Sequence, residues 1–275
     1  MIGRQVTGLI EARETRDGAG VGIRRVAGIA DHMDPFLLLD EIRTEDREDV
    51  AAGFPAHPHR GFETLTYVRT GGFVHEDSLG NRASVGANEA QWMRAGSGIV
   101  HSEMPLAEAE RFHGFQLWIN LPSADKMSAP AYRDIRVAER QPHDGVILRP
   151  VTGTRFGSDH QAGAAVSSVQ VFELELAAGA AVEVTDVADL ETVLAYVFDG
   201  AVEAEGQTVT SGTMAVFSSK GVLRLSAPGG SRMLVLAGQP IREPVVQHGP
   251  FVMNSVAEIE QAMRDYRDGR LDSAA

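Results

Sequence analysis

Cysteine is absent from the 275 residues of this sequence. Its absence excludes a disulfide framework, and it also excludes thiolate metal ligands and cysteine nucleophiles. Long apolar runs are missing as well: no stretch approaches the ~18 residues of a membrane helix, and the first residues lack the apolar core of a signal peptide. We therefore expect a cytoplasmic protein that does not enter the membrane.

Positive charge is scarce in this chain. Lys and Arg number 25 against 38 Asp and Glu, which gives a formal net charge of −13 with histidine neutral. Because an acidic surface repels the phosphate backbone and no basic cluster is present, direct nucleic-acid binding is not expected. Hydrophobic residues make up 43% of the sequence, which is enough to build a sizeable core in one large or two ordinary domains.

Short strand-like segments separated by turn residues dominate the sequence. Residues 64–68 combine β-branched and aromatic side chains, and apolar and polar residues alternate along 115–121. Such a succession favours a sandwich or barrel over alternating helices and strands. The stretch 121–144 is rich in Pro, Ala, Ser and charge, and it predicts a connection between two β domains, residues 1–135 and residues 136–275.

One helix is predicted at the C-terminal end of the chain. Ser255 can cap its first turn, with Glu258 three residues later as the partner in a capping box, and Gly269 predicts its end. The apolar stripe expected to pack on a β domain consists of Ile259, Ala262, Met263 and Tyr266.

Two pairs of residues with i, i+2 spacing carry the strongest functional signal. One pair is His57 and His59, and the other is His101 and Glu103. Side chains two residues apart on a strand project from the same face, so two pairs facing each other across a barrel can surround one ion. Three imidazoles and a carboxylate suit a divalent first-row metal and leave two of six positions open. Glu63 is a rival carboxylate for this set.

The remaining histidines have weaker claims to a role in the site. His75 can contact the metal ligands without binding the metal itself, and packing in a turn accounts for its presence at least as well. The histidines without a histidine or carboxylate at matching parity are interpreted as hydrogen-bonded structural residues: His32, His113, His143, His160 and His248.

Five segments of the chain have sequence patterns typical of one family: residues 34–40, 57–64, 75–81, 91–103 and 249–254. Together they resemble the pirins, which belong to the cupin superfamily, and the resemblance extends over nearly the whole chain. It implies an all-β bicupin fold, with two jelly-roll β-barrels packed together and a C-terminal α-helix.

The resemblance also implies the metal site. The family ligands fall on His57, His59, His101 and Glu103, and Glu63 is set aside. The N-terminal barrel would hold one metal ion, with Fe(II) the usual ion and Ni, Mn, Cu or Zn as alternatives. The C-terminal barrel would hold none.

An internal repeat supports a second barrel without metal. It aligns the two halves so that Arg224 takes the position of His101 and Ser226 the position of Glu103. A cation at the first of these positions would repel a metal ion. The second half is therefore expected to repeat the architecture of the first without its ligands.

The implied activity follows from the family. Several bacterial-type pirins are similar to quercetin 2,3-dioxygenases, which open a flavonol ring with dioxygen and release carbon monoxide. Glu103 would then be both a ligand and the catalytic base that takes the proton of the 3-hydroxyl group. Candidate apolar wall residues are Phe54, Trp92 and Met93. The competing interpretation is a redox-sensing, metal-binding regulator that acts through protein partners, and in either case a monomer is expected.

Overall fold

The computed structural model describes residues 2–27, 32–107, 109–155 and 169–272. The strands of the first half are β1 (Val6–Glu11), β2 (Arg13–Asp17), β3 (Val21–Ala27), β4 (Phe36–Thr44), β5 (Phe54–His59), β6 (Phe62–Thr70), β7 (Gly72–Asp77), β8 (Arg82–Gly86), β9 (Glu89–Arg94), β10 (Ile99–Pro105), β11 (Phe112–Asn120) and β12 (Ala131–Arg136). Helix α1 (Arg47–Ala52) lies between β4 and β5.

The second half continues the same pattern of short strands. They are β13 (Arg140–His143), β14 (Val146–Thr152), β15 (Gln170–Leu176), β16 (Ala180–Val184), β17 (Thr192–Ala204), β18 (Gln207–Thr210), β19 (Thr213–Phe217), β20 (Leu223–Ala227), β21 (Ser231–Gly238), β22 (Val246–His248) and β23 (Phe251–Met253), and they are followed by helix α2 (Val256–Arg267). Strands thus dominate, as predicted. No helix in the described ranges is both long and apolar enough to cross a membrane.

The chain forms two compact units. The unit that we call the N-terminal barrel comprises Glu14–Ile29, Phe36–Arg136 and Ile241–Ala275, and the C-terminal barrel comprises Met1–Arg13, Ala30–Pro35 and Val137–Pro240. The chain passes from one unit to the other between Arg136 and Val137. The ends of the chain differ from the prediction, because β1 pairs with β19 of the C-terminal barrel and the last segment belongs to the N-terminal barrel.

Two sheets build the N-terminal barrel. The four-stranded sheet has the order β5-β10-β7-β8, and the seven-stranded sheet has the order β12-β9-β6-β11-β4-β3-β2. Along β10 the burial alternates, so that Ile99, His101 and Glu103 are buried. Because strand side chains alternate between faces, this pattern turns both candidate ligands of β10, His101 and Glu103, toward the interior.

The last segment of the chain is tied to the N-terminal barrel by a buried ammonium group. Lys126 Nζ donates hydrogen bonds to the carbonyl oxygen of Gly61 at 2.7 Å, to Asn120 Oδ1 at 2.6 Å and to the carbonyl oxygen of Val252 at 3.0 Å. Gly61 has φ of +89°, and a Cβ atom there would lie 2.0 Å from the Val252 oxygen. Only glycine allows this close approach between the segment and the barrel.

Helix α2 begins as the sequence predicted. The hydroxyl oxygen of Ser255 accepts a hydrogen bond from the backbone N–H of Glu258 at 3.3 Å, and the Glu258 carboxylate accepts one from the backbone N–H of Asn254. The predicted apolar stripe is only half buried: Ile259 and Ala262 are buried, whereas Met263 and Tyr266 are each 45% exposed.

The C-terminal barrel is a single ten-stranded sheet that encloses an apolar core. On β20 the buried side chains are those of Leu223, Leu225 and Ala227. The residues that the repeat aligned with the ligands, Arg224 and Ser226, lie on the other face of this strand, where Arg224 forms an ion pair with a glutamate of β16. The alignment therefore put the ligand positions on the face of β20 that points away from the core. A displacement by a single residue is enough to exchange the two faces of a strand.

Candidate metal centre

Both predicted pairs of residues lie on strands, as their spacing required. His57 and His59 belong to β5, and His101 and Glu103 belong to β10. The two strands do not face each other across the barrel. They are antiparallel neighbours in the four-stranded sheet, with His101 paired to His57 and a register shift before Glu103, which pairs with Phe54. The ligand candidates therefore converge from adjacent strands.

Three imidazoles form a compact cluster. The ring centroids of His57 and His101 are 4.3 Å apart, and those of His59 lie 4.7 Å from His57 and 5.0 Å from His101. One ring nitrogen from each residue lies within 4.8 Å of the other two. This spacing is small enough for the three nitrogens to share one cation after small side-chain adjustments.

The hydrogen bonds of the imidazoles leave the converging nitrogens free for a metal. His57 Nδ1 lies 2.7 Å from the carbonyl oxygen of Pro55, which can only accept, so Nδ1 carries the proton and Nε2 keeps its lone pair. The Nε2 atoms of His59 and His101 are buried and have no hydrogen-bond partner among the described residues. Buried polar atoms without partners are costly, and a divalent cation would satisfy them.

Burial keeps these imidazoles neutral. It lowers the pKa of His59 to about 3, with a further contribution from His57, and it lowers the pKa of His101 well below its ordinary value, with contributions from the neighbouring histidines. The pKa of His57 is also lowered, chiefly by burial. Since a metal binds the neutral imidazole, the cluster is in its ligand form at neutral pH.

Glu103 is buried at the junction of the two sheets. Its Oε1 accepts a hydrogen bond from Thr66 Oγ1 at 3.0 Å, and its Oε2 accepts one from Gln116 Nε2 at 2.7 Å. Burial raises the pKa of Glu103 to about 7, although both hydrogen bonds act in the opposite direction. A carboxylate oxygen of Glu103 and one ring nitrogen each of His75 and His101 lie within 4.8 Å of one another, which makes a second group that shares His101.

Residues of the C-terminal segment contact His59 and its neighbour Arg60. His59 Nδ1 lies 3.4 Å from the carbonyl oxygen of Pro250. The adjacent Arg60 is buried, and it donates to the carbonyl oxygen of Ser97 at 2.5 Å and to Asp265 Oδ2 of α2 at 2.8 Å. These contacts fix the backbone next to His59 within the N-terminal barrel.

A mainly apolar pocket adjoins Glu103. It is small, with about 40 Å³ of space that the centre of a water molecule can occupy. Its polar lining residues are Thr44, Asp49, Thr66 and Glu103, and its apolar lining includes Val21, Ile42, Val50, Phe54, Phe73 and Phe112. Of the three predicted wall residues, Phe54 lines the pocket, whereas Trp92 and Met93 are buried on β9 outside its lining. Strand parity indicated their burial but not the cavity that they face.

Glu63, the rival carboxylate of the sequence, belongs to neither potential ligand group in the described part of the chain. It lies on β6 opposite Arg94, whose Nε is 3.4 Å from Glu63 Oε1. Burial raises the pKa of Glu63 to about 7, and the opposing effects of Trp92 and Arg94 are smaller. In the structure the partner of the Glu63 carboxyl group is thus Arg94, and Glu63 is not grouped with the candidate metal ligands among the described residues.

Glu63 should make stability depend on pH. Its carboxyl group ionises near pH 4.5 in the unfolded chain and near pH 7 in the folded one. Between these values the folded state binds more protons, so the free energy of unfolding falls as pH rises. We expect Glu63→Gln to gain on the order of 3 kcal/mol relative to the wild type across this interval. Urea unfolding of both metal-free proteins measures it, and a difference that stays constant with pH would contradict it.

Several residues of the site were not predicted from the sequence. Thr66 and Gln116, which hold Glu103, had no signal beyond being polar residues on buried strands. His75 was noted only as an alternative, and Asp77 was overlooked although the two repeat the i, i+2 spacing on β7. Among the histidines interpreted as structural, His113 lies 3.1 Å from Glu41, and His160 is outside the described residues.

Two family models match this chain. Residues 19–119 match the family model described as Pirin, and residues 171–272 match the model described as Pirin C-terminal cupin domain. A Pseudomonas aeruginosa protein named "Putative quercetin 2,3-dioxygenase" is 44% identical over 98% of this chain and 98% of its own. Mouse (Mus musculus) pirin is 36% identical over 97% of this chain and 93% of its own.

A solved structure agrees over almost the whole length. The crystal structure of quercetin 2,3-dioxygenase from Acinetobacter baumannii matches with a TM-score of 0.89 at 32% identity, and the match covers 98% of this chain and 99% of that one. Together with the family models, it confirms the predicted fold class of two cupin domains with one C-terminal helix.

Proposed function

This chain belongs to the pirin family, and we propose that it is a dioxygenase that cleaves flavonols such as quercetin at a mononuclear metal centre. The observation that carries the proposal is the cluster of neutral imidazoles with partnerless buried Nε2 atoms, beside a buried carboxyl group and an apolar pocket. The names of the relatives in Pseudomonas aeruginosa and Acinetobacter baumannii support the same reaction class.

Four residues would hold the ion: His57, His59, His101 and Glu103. The three imidazoles supply neutral nitrogen donors, and Glu103 supplies the carboxylate oxygen that makes the set suitable for Fe(II). Ni, Mn, Cu and Zn accept the same donors and are the alternatives. A divalent first-row ion held there would orient the oxygen atoms of the substrate, and a redox-active one such as Fe(II) would also exchange electrons with dioxygen, which zinc would not.

Glu103 would also act as the base for the flavonol 3-hydroxyl group. In the metal-free protein burial raises the pKa of Glu103 to about 7, so its side chain can hold a proton. A carboxylate of this kind that loosens from the ion would accept the proton of the 3-hydroxyl group as a general base. Thr66 and Gln116 fix its two oxygens by hydrogen bonds. The carboxylate is therefore oriented before the substrate arrives, which reduces the reorganisation needed for proton transfer.

The lining of the pocket beside Glu103 suits a flat aromatic group, and the pocket would have to widen to admit a whole flavonol. Three of its lining side chains are phenylalanines, Phe54, Phe73 and Phe112, and four others are aliphatic: Val21, Ile42, Val50 and Pro105. Aromatic faces bind planar rings with favourable geometry and exclude water from the reacting atoms. Thr66 and Glu103, two of the few polar groups of the lining, would then bind the hydroxyl-bearing end of the substrate.

Anaerobic purification with elemental analysis, followed by dioxygen uptake with quercetin, tests this function. We expect one metal ion per chain and dioxygen consumption that depends on both quercetin and the ion. An iron-loaded protein that consumes no dioxygen with quercetin contradicts the dioxygenase. In that case the redox-sensing regulator would be favoured, and it requires a protein partner whose affinity changes with the oxidation state of the metal.

A further inference from the structure

A third pair of residues lies beside the two that the sequence singled out. His75 and Asp77 are two residues apart on β7, which is the neighbour of β10 on the side opposite β5. In the register of these strands His101 pairs with Asp77, and Glu103 pairs with His75. Both side chains of the third pair are completely buried. Burying two polar side chains is costly unless they are hydrogen-bonded, so their partners next to the candidate ligands indicate what they do.

The hydrogen bonds of this pair have a fixed direction. Asp77 Oδ1 accepts from the backbone N–H groups of Leu79 and Asn81, each at 3.0 Å, and Oδ2 accepts from Asn81 Nδ2 at 2.8 Å. His75 Nε2 lies 3.2 Å from the same Oδ2, so Nε2 donates and Nδ1 of His75 is left as an acceptor. His101 Nδ1, 3.5 Å from that acceptor, is then the donor.

This chain of hydrogen bonds selects the tautomer of His101. With the proton on Nδ1, the lone pair of His101 is on Nε2, the buried atom without a protein partner. His75 is held in place by Tyr132, whose ring lies 4.9 Å from the imidazole at 34°. His75 and His101 are both buried, so bulk water does not compete for the hydrogen bond between them.

We propose that His75 and Asp77 are positioning residues that hold His101 in the tautomer and orientation required for metal binding. This inference rests on the proposed function and deepens it. Ligand histidines commonly donate their second ring N–H to a carboxylate or carbonyl group. Here a histidine stands between the ligand and the carboxylate, so the orientation of His101 depends on Asp77 through His75.

The rival interpretation is that His75 is itself a ligand. His75, His101 and Glu103 form the second of the two groups with closely spaced donor atoms. If the Nδ1 atoms of both histidines bound one ion, however, His101 Nε2 would remain buried without a partner. The hydrogen-bonded arrangement leaves that atom to the cluster with His57 and His59, and it is therefore favoured.

The substitution Asp77→Asn tests the proposal at a single atom. The side-chain oxygen of asparagine can keep the two backbone N–H groups that Oδ1 accepts, while its NH2 group replaces Oδ2 and faces His75 Nε2. A donor then meets a donor at both His75 Nε2 and Asn81 Nδ2. The Asn81 amide can turn over and present its oxygen, whereas His75 must move its proton to Nδ1, where it opposes the Nδ1 proton of His101. Glu76→Gln is the matched control, because this carboxylate lies one residue away and is exposed.

Two measurements on the variants are required. Long-range proton–nitrogen NMR spectra of the metal-free protein should show His101 with the proton on Nδ1 in the wild type and in Glu76→Gln, and a changed tautomer in Asp77→Asn. Competition with a chelator should show zinc(II) bound about 10–100-fold more weakly by Asp77→Asn than by the other two proteins. Unchanged thermal unfolding of the metal-free variant would show that the turn after β7 is intact.

The outcomes separate this inference from the proposed function. A wild type that binds no zinc(II) or iron(II) contradicts the metal centre, while the tautomer of metal-free His101 still decides the inference. Equal zinc affinity and an unchanged tautomer in Asp77→Asn overturn the inference and leave the dioxygenase standing. A zinc-bound nitrogen shift at His75 Nδ1 also overturns it, because His75 would then be a ligand.

Discussion

The substitution His59→Ala should remove stoichiometric metal binding from the protein. His59 Nε2 is buried and without a partner among the described residues, and its ring lies within 5.0 Å of both other imidazoles. Loss of a supporting residue weakens metal binding by about 10–100-fold, and loss of a ligand should exceed that range. Chelator competition measures the affinity, and elemental analysis measures the metal retained after purification.

Thermal unfolding provides an independent readout of the same change. An ion at about 1,000 times its Kd stabilises the folded state by about 4 kcal/mol, and a 100-fold weaker site retains only about 1.4 kcal/mol at that concentration. The metal-dependent rise in Tm should therefore fall to about a third of its wild-type value, or to less, in His59→Ala. His248→Ala, at an exposed histidine of β22, serves as the control and should keep the full rise. Unchanged metal content in His59→Ala would show that the cluster is not the metal centre.

The pairs that the sequence singled out were found because strand periodicity is local. A spacing of i, i+2 on a strand places two side chains on one face whatever the neighbouring strands are. This was sufficient to bring His57 with His59, and His101 with Glu103, to one face of their strands. It was not sufficient to show that β5 and β10 are neighbours, because strand pairing depends on contacts between segments distant in the sequence.

The same periodicity means that a small error in aligning two strands assigns every residue to the wrong face. The alignment of Arg224 with His101 put the arginine on the wrong face of its strand, since the buried face of β20 carries Leu223, Leu225 and Ala227. The expectation of a metal-free second barrel stays a prediction, now with a different reason. Apolar side chains of the core fill the face on which ligands would have to lie, and they offer no donor atom.

Which barrel the two ends of the chain belong to could not be predicted from the sequence pattern, for a related reason. The strand-like character of residues 6–11 is readable in the sequence, but its pairing with β19 is a tertiary contact. Likewise, the capping residues predicted α2 correctly, whereas its burial by the N-terminal barrel depends on contacts such as Arg60 with Asp265. Local rules gave the elements, and their partners required the structure.

The substitution Glu103→Gln should separate catalysis from metal binding. The amide keeps a neutral oxygen donor for the ion and can keep both hydrogen bonds: its oxygen can accept from Gln116 Nε2, and its NH2 group can donate to the hydroxyl of Thr66. It cannot take a proton from the 3-hydroxyl group of a flavonol. Because a positioned general base contributes about 10²–10⁴-fold, turnover of quercetin should fall by that factor while metal content changes little.

The chain offers a closely matched control for this experiment in Glu63→Gln. Glu63 is also a buried glutamate whose pKa is raised to about 7, and it lies in the same barrel, but it belongs to neither group of potential ligands among the described residues. The two variants thus undergo the same chemical change in similar surroundings, and only Glu103→Gln should lose turnover. Metal content and quercetin-dependent dioxygen uptake must be measured on the same preparations. If Glu103→Gln retains both its metal and full turnover, the dioxygenase stands but Glu103 is not its base, and another group of the pocket must accept the proton.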